Sequence, residues 1–122
     1  METRTQRYAK AAYAKIATVQ NQAVEKKYGA LALSFPVMVL QGGLAQATGF
    51  LLAKAKEEHT AYLNDLAVVL QEGDGKTFHE KIIRSDVVTY QRLTRSTLDA
   101  AAWMKRYAQG VLKADPTEGG QS

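Results

Sequence analysis

His59 and His79 are the only imidazoles in this chain of 122 residues, and cysteine is absent altogether. His79-Glu80-Lys81-Ile82-Ile83 opens like a zinc-protease helix, but Ile83 stands where the second histidine would have to be. Both histidines are therefore expected at the surface or boundary of a helix, with no metal. Glu57 and Glu58 are adjacent, so on a helix they point about 100° apart and make a poor acid–base pair. Asp65 and Glu72 share one face but read as solvated surface. The run Gly42-Gly43-Leu44-Ala45-Gln46-Ala47-Thr48-Gly49-Phe50 lacks the Lys-Ser/Thr that completes a phosphate loop, and no strand precedes it. Helix breaking and close helix packing account for its glycines. Trp103 and the tyrosines at 8, 13, 28, 62, 90 and 107 are of the type that stacks on bases. At helical spacing most are expected in the core or an interface, since each brings a large apolar area. No catalytic constellation, metal site or cofactor site survives, so the chain is not expected to be an enzyme.

The lack of cysteine excludes disulfides, thiolate ligands and thiol nucleophiles, and suits a reducing cytosol. A chain of this length makes one domain and buries roughly two-thirds of its unfolded surface. With 46% hydrophobic residues it needs no staple. The longest apolar run, Phe35 to Leu40, falls far short of the roughly 20 residues of a membrane span. The opening METRTQRYAK has no signal-peptide pattern, so a soluble cytoplasmic protein with no membrane partner is expected.

The net charge of +4 is unevenly spread. Residues 1–27 carry +4, residues 28–56 +2, residues 57–83 −4 and residues 84–113 +4. Two basic stretches thus flank an acidic middle, which points to a polyanionic partner.

Helical periodicity positions these charges. From Thr3 to about Lys27, Ala9, Ala12, Ile16, Val19 and Ala23 form one stripe, with Arg4, Arg7, Lys10 and Lys15 opposite and Gly29 as the stop. Ala30 to Leu40 is apolar nearly all round, as a helix at the centre of a bundle would be. Pro36 is expected to kink it or to start a new helix, with Ser34 as cap. Gly42-Gly43 marks a break. Leu44, Ala47, Leu51 and Ala55 form the next stripe, and Tyr62, Leu66 and Val69, flanked by Leu63 and Leu70, another.

Glu72-Gly73-Asp74-Gly75 reads as a loop before a short helix over Thr77 to Arg84. Ser85 is expected to cap the last helix, with Asp86 at its positive end. Tyr90, Leu93, Thr97, Ala100, Ala101, Met104, Ala108 and Val111 share one side of it. Arg92, Arg95, Asp99, Arg106 and Lys113 share the other, and Lys105 lies at the edge of the apolar stripe. The expectation is an all-α fold: a single helical bundle of five or six helices over residues 1–113, with a disordered tail over 114–122.

Three segments carry a resemblance. The first is Arg7-Tyr8-Ala9-Lys10-Ala11-Ala12. The second is Tyr28 and Phe35-Pro36 followed by Gly43-Leu44-Ala45-Gln46-Ala47-Thr48-Gly49-Phe50 and Lys54. The third is Trp103-Met104-Lys105-Arg106-Tyr107-Ala108 with Leu112-Lys113 behind it. In this order the chain resembles the small subunit of the type III-B CRISPR (Cmr) RNA-guided effector complex. Phe35 replaces the more usual leucine before proline, and Gly42 replaces an asparagine.

The resemblance implies an all-α subunit without nuclease activity, of which several copies stack along a filament of backbone subunits beside a large subunit. Its implied partners are guide RNA, target RNA, the other effector subunits and further copies of itself. Such a protein needs only backbone charge and shape, because base pairing reads the sequence. The RNA-contacting residues expected on this reading are Arg4, Arg7, Lys10, Lys15, Lys54, Arg92, Arg95, Lys105 and Arg106. The alternatives are an independent helical nucleic-acid-binding regulator, which needs a recognition helix and usually a two-fold dimer, and an adaptor that touches no nucleic acid.

Overall fold

A computed structural model describes residues 1–116, which form six helices and no strand. They are α1 (Arg4–Val19), α2 (Glu25–Gly42), α3 (Leu44–Lys54), α4 (Glu57–Val69), α5 (Gly75–Arg84) and α6 (Val87–Gly110). The chain is an all-α bundle, as its periodicity predicts.

The starts of α1, α5 and α6 follow from side chains that satisfy the free N–H groups of a first turn. Thr3 and Gln6 close a reciprocal capping box on α1, at 3.0 and 2.9 Å. Asp74 accepts from the Thr77 N–H, and Asp86 from the Thr89 N–H, each at 2.8 Å. Asp86, not Ser85, is thus the cap of α6; Ser85 ends α5 and donates its hydroxyl to the Ile82 carbonyl. Gly43, at φ 90°, makes the break between α2 and α3.

Helix α1 is shorter than its apolar repeat predicts. Gln20 turns extended and Asn21 adopts φ 68°, a left-handed conformation that asparagine tolerates, so Ala23 is left exposed. Gly29 stops nothing; it lies inside α2. A side chain there would put its Cβ 2.9 Å from that of Ala114, so the glycine admits Ala114 against α2. The Ala114 N–H donates to the Ala108 carbonyl. Of the tail expected over 114–122, residues 117–122 lie outside the described residues.

Helix α2 continues through Pro36, so no new helix starts there, and Ser34 caps nothing: its hydroxyl donates back to the Leu31 carbonyl. The missing proline N–H costs one helical bond, and burial of Ala32, Phe35 and Val39 on one side holds the turn together. Nor is α2 the centre of the bundle, since Val37 and Leu40 are exposed. That place belongs to α4, which packs on all five other helices. Its Tyr62 is fully buried between Tyr28 and Phe35, with ring centroids 5.6 and 5.2 Å away.

Helices α1 and α6 lie side by side and run in the same direction. Arg4 meets Asp99, Tyr13 meets Tyr107, and Gln20 reaches the Val111 carbonyl. Helices α3 and α5 pack on each other and on α4.

Candidate nucleic-acid interface

The stripe of α6 turned to the core is Leu93, Thr97, Ala100, Ala101, Met104 and Ala108, all buried. Its position fixes the opposite side, where Arg92, Arg95 and Arg106 are exposed. Asp99 stands among them and is taken up by Arg4, whose guanidinium also reaches the Ser96 hydroxyl at 3.4 Å. This contact carries the start of α1 onto the middle of α6. Both partners of the Arg4–Asp99 pair are about half exposed. Such a pair contributes at most about 1 kcal/mol and is screened by salt, so a phosphate can compete for Arg4.

Arg4 and Arg7 both lie over the ring of buried Tyr8, at 5.5 and 5.7 Å from its centroid. Arg7 is half-buried, and its Nε is buried without a hydrogen-bond partner. Lys10, exposed, pairs with Glu2.

The remaining expected residues are Lys15, Lys105 and Lys54. Lys15 is half-buried and its charge acts on Asp65 of α4. Lys105 is half-buried on the flank of α6. Lys54 closes α3, where its ammonium lies 5.7 Å from the Phe50 centroid. Of the expected residues, Arg4 alone is seen to bridge α1 and α6; Arg7 and Lys10 share α1 with it, and Arg92, Arg95 and Arg106 stand on the exposed side of α6.

His59 and the carboxylates depart from their expected surroundings, whereas His79 keeps the boundary position expected of it. His59 is 2% exposed and is no surface residue, because α4 is central; Phe50 meets its ring edge-on at 6.0 Å. Glu58 is buried beside it, with Oε2 3.5 Å from His59 Nδ1. His79 is half-buried, its Nδ1 2.6 Å from the Thr48 hydroxyl. Asp65 is not plain solvated surface: it accepts a 2.7 Å hydrogen bond from the Tyr28 hydroxyl. Burial pushes the Asp65 carboxyl up, against the Tyr28 hydrogen bond and Lys15, which pull it down. Among the described residues no group of three or more His, Cys, Asp or Glu is placed to hold a metal ion. No helix among them is long and apolar enough to cross a membrane.

Burial lowers the pKa of His59 below its ordinary 6.5, opposed by Glu58 and assisted by Lys56 and Lys54. The folded state therefore resists a proton that the unfolded chain accepts, so stability is full above 6.5 and declines as pH falls below it. His59→Gln is expected to flatten this decline in thermal-unfolding scans between neutral pH and the mid-acid range. An unchanged slope would show that His59 does not govern it.

Fold and site together define a small all-α protein with exposed arginines on α1 and α6. Residues 4–111 match the family described as CRISPR-associated protein (Cas_Cmr5), and the chain belongs to that family. The CRISPR system Cmr subunit Cmr5 of Thermus thermophilus is 40% identical over 113 residues, which cover 93% of this chain and 99% of that protein. The crystal structure of a CRISPR-associated Cmr5 family protein from the same organism superposes with a TM-score of 0.88. It is 40% identical, with 91% of this chain and 98% of that one covered.

Proposed function

We propose that this chain is the non-catalytic small subunit of a cytoplasmic type III-B (Cmr) RNA-guided effector complex, and serves antiviral defence. In this role copies stack along the backbone filament and contact guide and target RNA through phosphates. The observation that carries the reading is that the arginines of α1 and α6, bridged by the Arg4–Asp99 contact, stand on rigid helices without a base-reading loop. Phosphate contacts of this kind position RNA and leave sequence to base pairing. Arg4, Arg7, Lys10, Arg92, Arg95 and Arg106 make the main contact, and Lys15, Lys54 and Lys105 contribute at its margins. The large exposures of Ile83, Val87 and Val88 at the α5–α6 corner, and of Leu40 on α2, provide apolar surface for neighbouring subunits.

Mixed with the other Cmr subunits and a guide RNA, the chain is expected to co-elute with the complex. Alone it is expected to cleave neither RNA nor DNA, with or without divalent metal, since among the described residues no group of three or more His, Cys, Asp or Glu is placed to hold a metal that would activate water. Exclusion from the complex, or cleavage that survives repurification, contradicts the reading.

A further inference from the structure

Three aromatic rings gather where α1 runs beside the last turns of α6. Tyr13 meets Tyr107 edge-on, with centroids 5.3 Å and planes 75° apart. Trp103 stacks on Tyr107 at 5.8 Å and 29°, and the Arg106 guanidinium lies 5.0 Å from the Trp103 centroid. Tyr8, Tyr28 and Tyr62 fill the core, whereas Tyr13 is 54% exposed and Trp103 and Tyr107 rest on the core half-covered. One turn beyond Arg106 and Tyr107, a Cβ at Gly110 would meet nothing within 4 Å, so the end of this face is open.

Charge decides what suits the rings. Lys10 stands one helical turn from Tyr13, Arg106 covers Trp103, and Arg92 and Arg95 continue the same side of α6. The acids of this region, Asp99 and Glu2, are paired with Arg4 and Lys10. A base attached to phosphates answers both features, because every base offers a π-face and its backbone the complementary charge.

We infer that Tyr13, Trp103, Tyr107 and Arg106 form a stacking ledge for an unpaired base of single-stranded RNA, with the flanking phosphates held by Arg106 and Lys10. This rests on the RNA-contacting role proposed above and adds a contact that depends on an unstacked base. A duplex, whose bases are already stacked, engages the arginines and leaves the ledge empty.

Trp103 is the single tryptophan, so its emission reports on the ledge directly. The full chain is titrated with an oligoadenylate of about a dozen nucleotides, a length within the range that one small binding domain covers, and with duplex RNA of equal phosphate number. The single strand is expected to quench Trp103 and the duplex to bind without quenching. Tyr13→Ala, at an exposed position that spares the fold, is expected to weaken the single strand by about tenfold and the duplex not at all. Arg92→Glu with Arg95→Glu is expected to weaken both.

If that double reversal weakens binding while Trp103 stays unquenched and Tyr13→Ala binds as wild type, the ledge is wrong and the charge reading stands. If neither RNA binds, both fall. If Tyr13→Ala leaves RNA binding intact but blocks entry into the effector complex, the rings are a protein contact and the inference is overturned.

Discussion

Reversing Arg92, Arg95 and Arg106 to glutamate is expected to lower target-RNA affinity of the assembled complex by about a hundredfold or more near 0.1 M salt. Three exposed cations become three anions on a surface whose other contributors are Arg4, Arg7 and Lys10. Each lost phosphate contact removes attraction, and each new carboxylate adds repulsion. The fold should persist, because surface substitutions of this kind usually change stability by only about 0.5 kcal/mol each, and the core stripe of α6 is untouched. The loss should be the same for every matched guide–target pair, since phosphates carry no sequence. Filter binding with several unrelated pairs checks this, and a loss confined to particular sequences would show that these arginines read bases.

Phe35→Ala is expected to cost about 3–5 kcal/mol, against a whole-domain stability of about 5–15 kcal/mol. Phe35 is fully buried and its ring lies 5.2 Å from that of Tyr62, on the helix that every other helix touches. The cavity would open at the centre of the bundle, where rings from α2 and α4 meet and cannot collapse together without moving a helix. The unfolding midpoint should fall by about 15 °C or more for a domain of this size. Leu40→Ala on the same helix is the contrast: that leucine is 72% exposed, and its loss should change stability by roughly 0.5 kcal/mol or less. Equal effects at the two positions in thermal melts would contradict the packing.

What the sequence reveals of this molecule depends on how locally each feature is decided. Helix α6 is legible almost completely, because its apolar side repeats over 24 residues and the arginines fall opposite it by geometry alone. Only its cap is displaced by one residue, where serine and aspartate, both good caps, are neighbours. The end of α1 is hidden because Ala23 continues the repeat while the turn is set by a left-handed Asn21, a conformation with no strict residue code. Gly29 and Pro36 are strong local signals overruled by packing: one admits Ala114, and the other is carried by the buried Phe35 turn.

The candidate site is legible in part for the same reason. Which arginines face away from the core follows from spacing. That Arg4 reaches Asp99, uniting α1 with α6, is a contact between residues 95 apart in the chain, and no periodicity announces it. Lys15 looks exposed on a helical projection but is half-buried, whereas Lys105 is half-buried as its place at the edge of the apolar stripe implies. Lys54 is exposed at the end of a helix that α1 and α6 do not run along. The burial of His59 is invisible for the complementary reason: only the central place of α4 makes it a core residue.

The central claim is that the α1–α6 surface contacts RNA phosphates within the effector complex, and the salt dependence of target binding tests it most directly. Complexes assembled with the wild-type chain, or with the chain carrying Arg92→Glu, Arg95→Glu and Arg106→Glu, are titrated with one target RNA over a series of salt concentrations. Every phosphate contact on a single strand contributes about 0.7 to the slope of log affinity against log salt. The reversed subunit is expected to make that slope shallower by about two, with the affinities converging at high salt. Parallel lines of equal height would mean that these arginines are solvated helix faces and that RNA is held elsewhere.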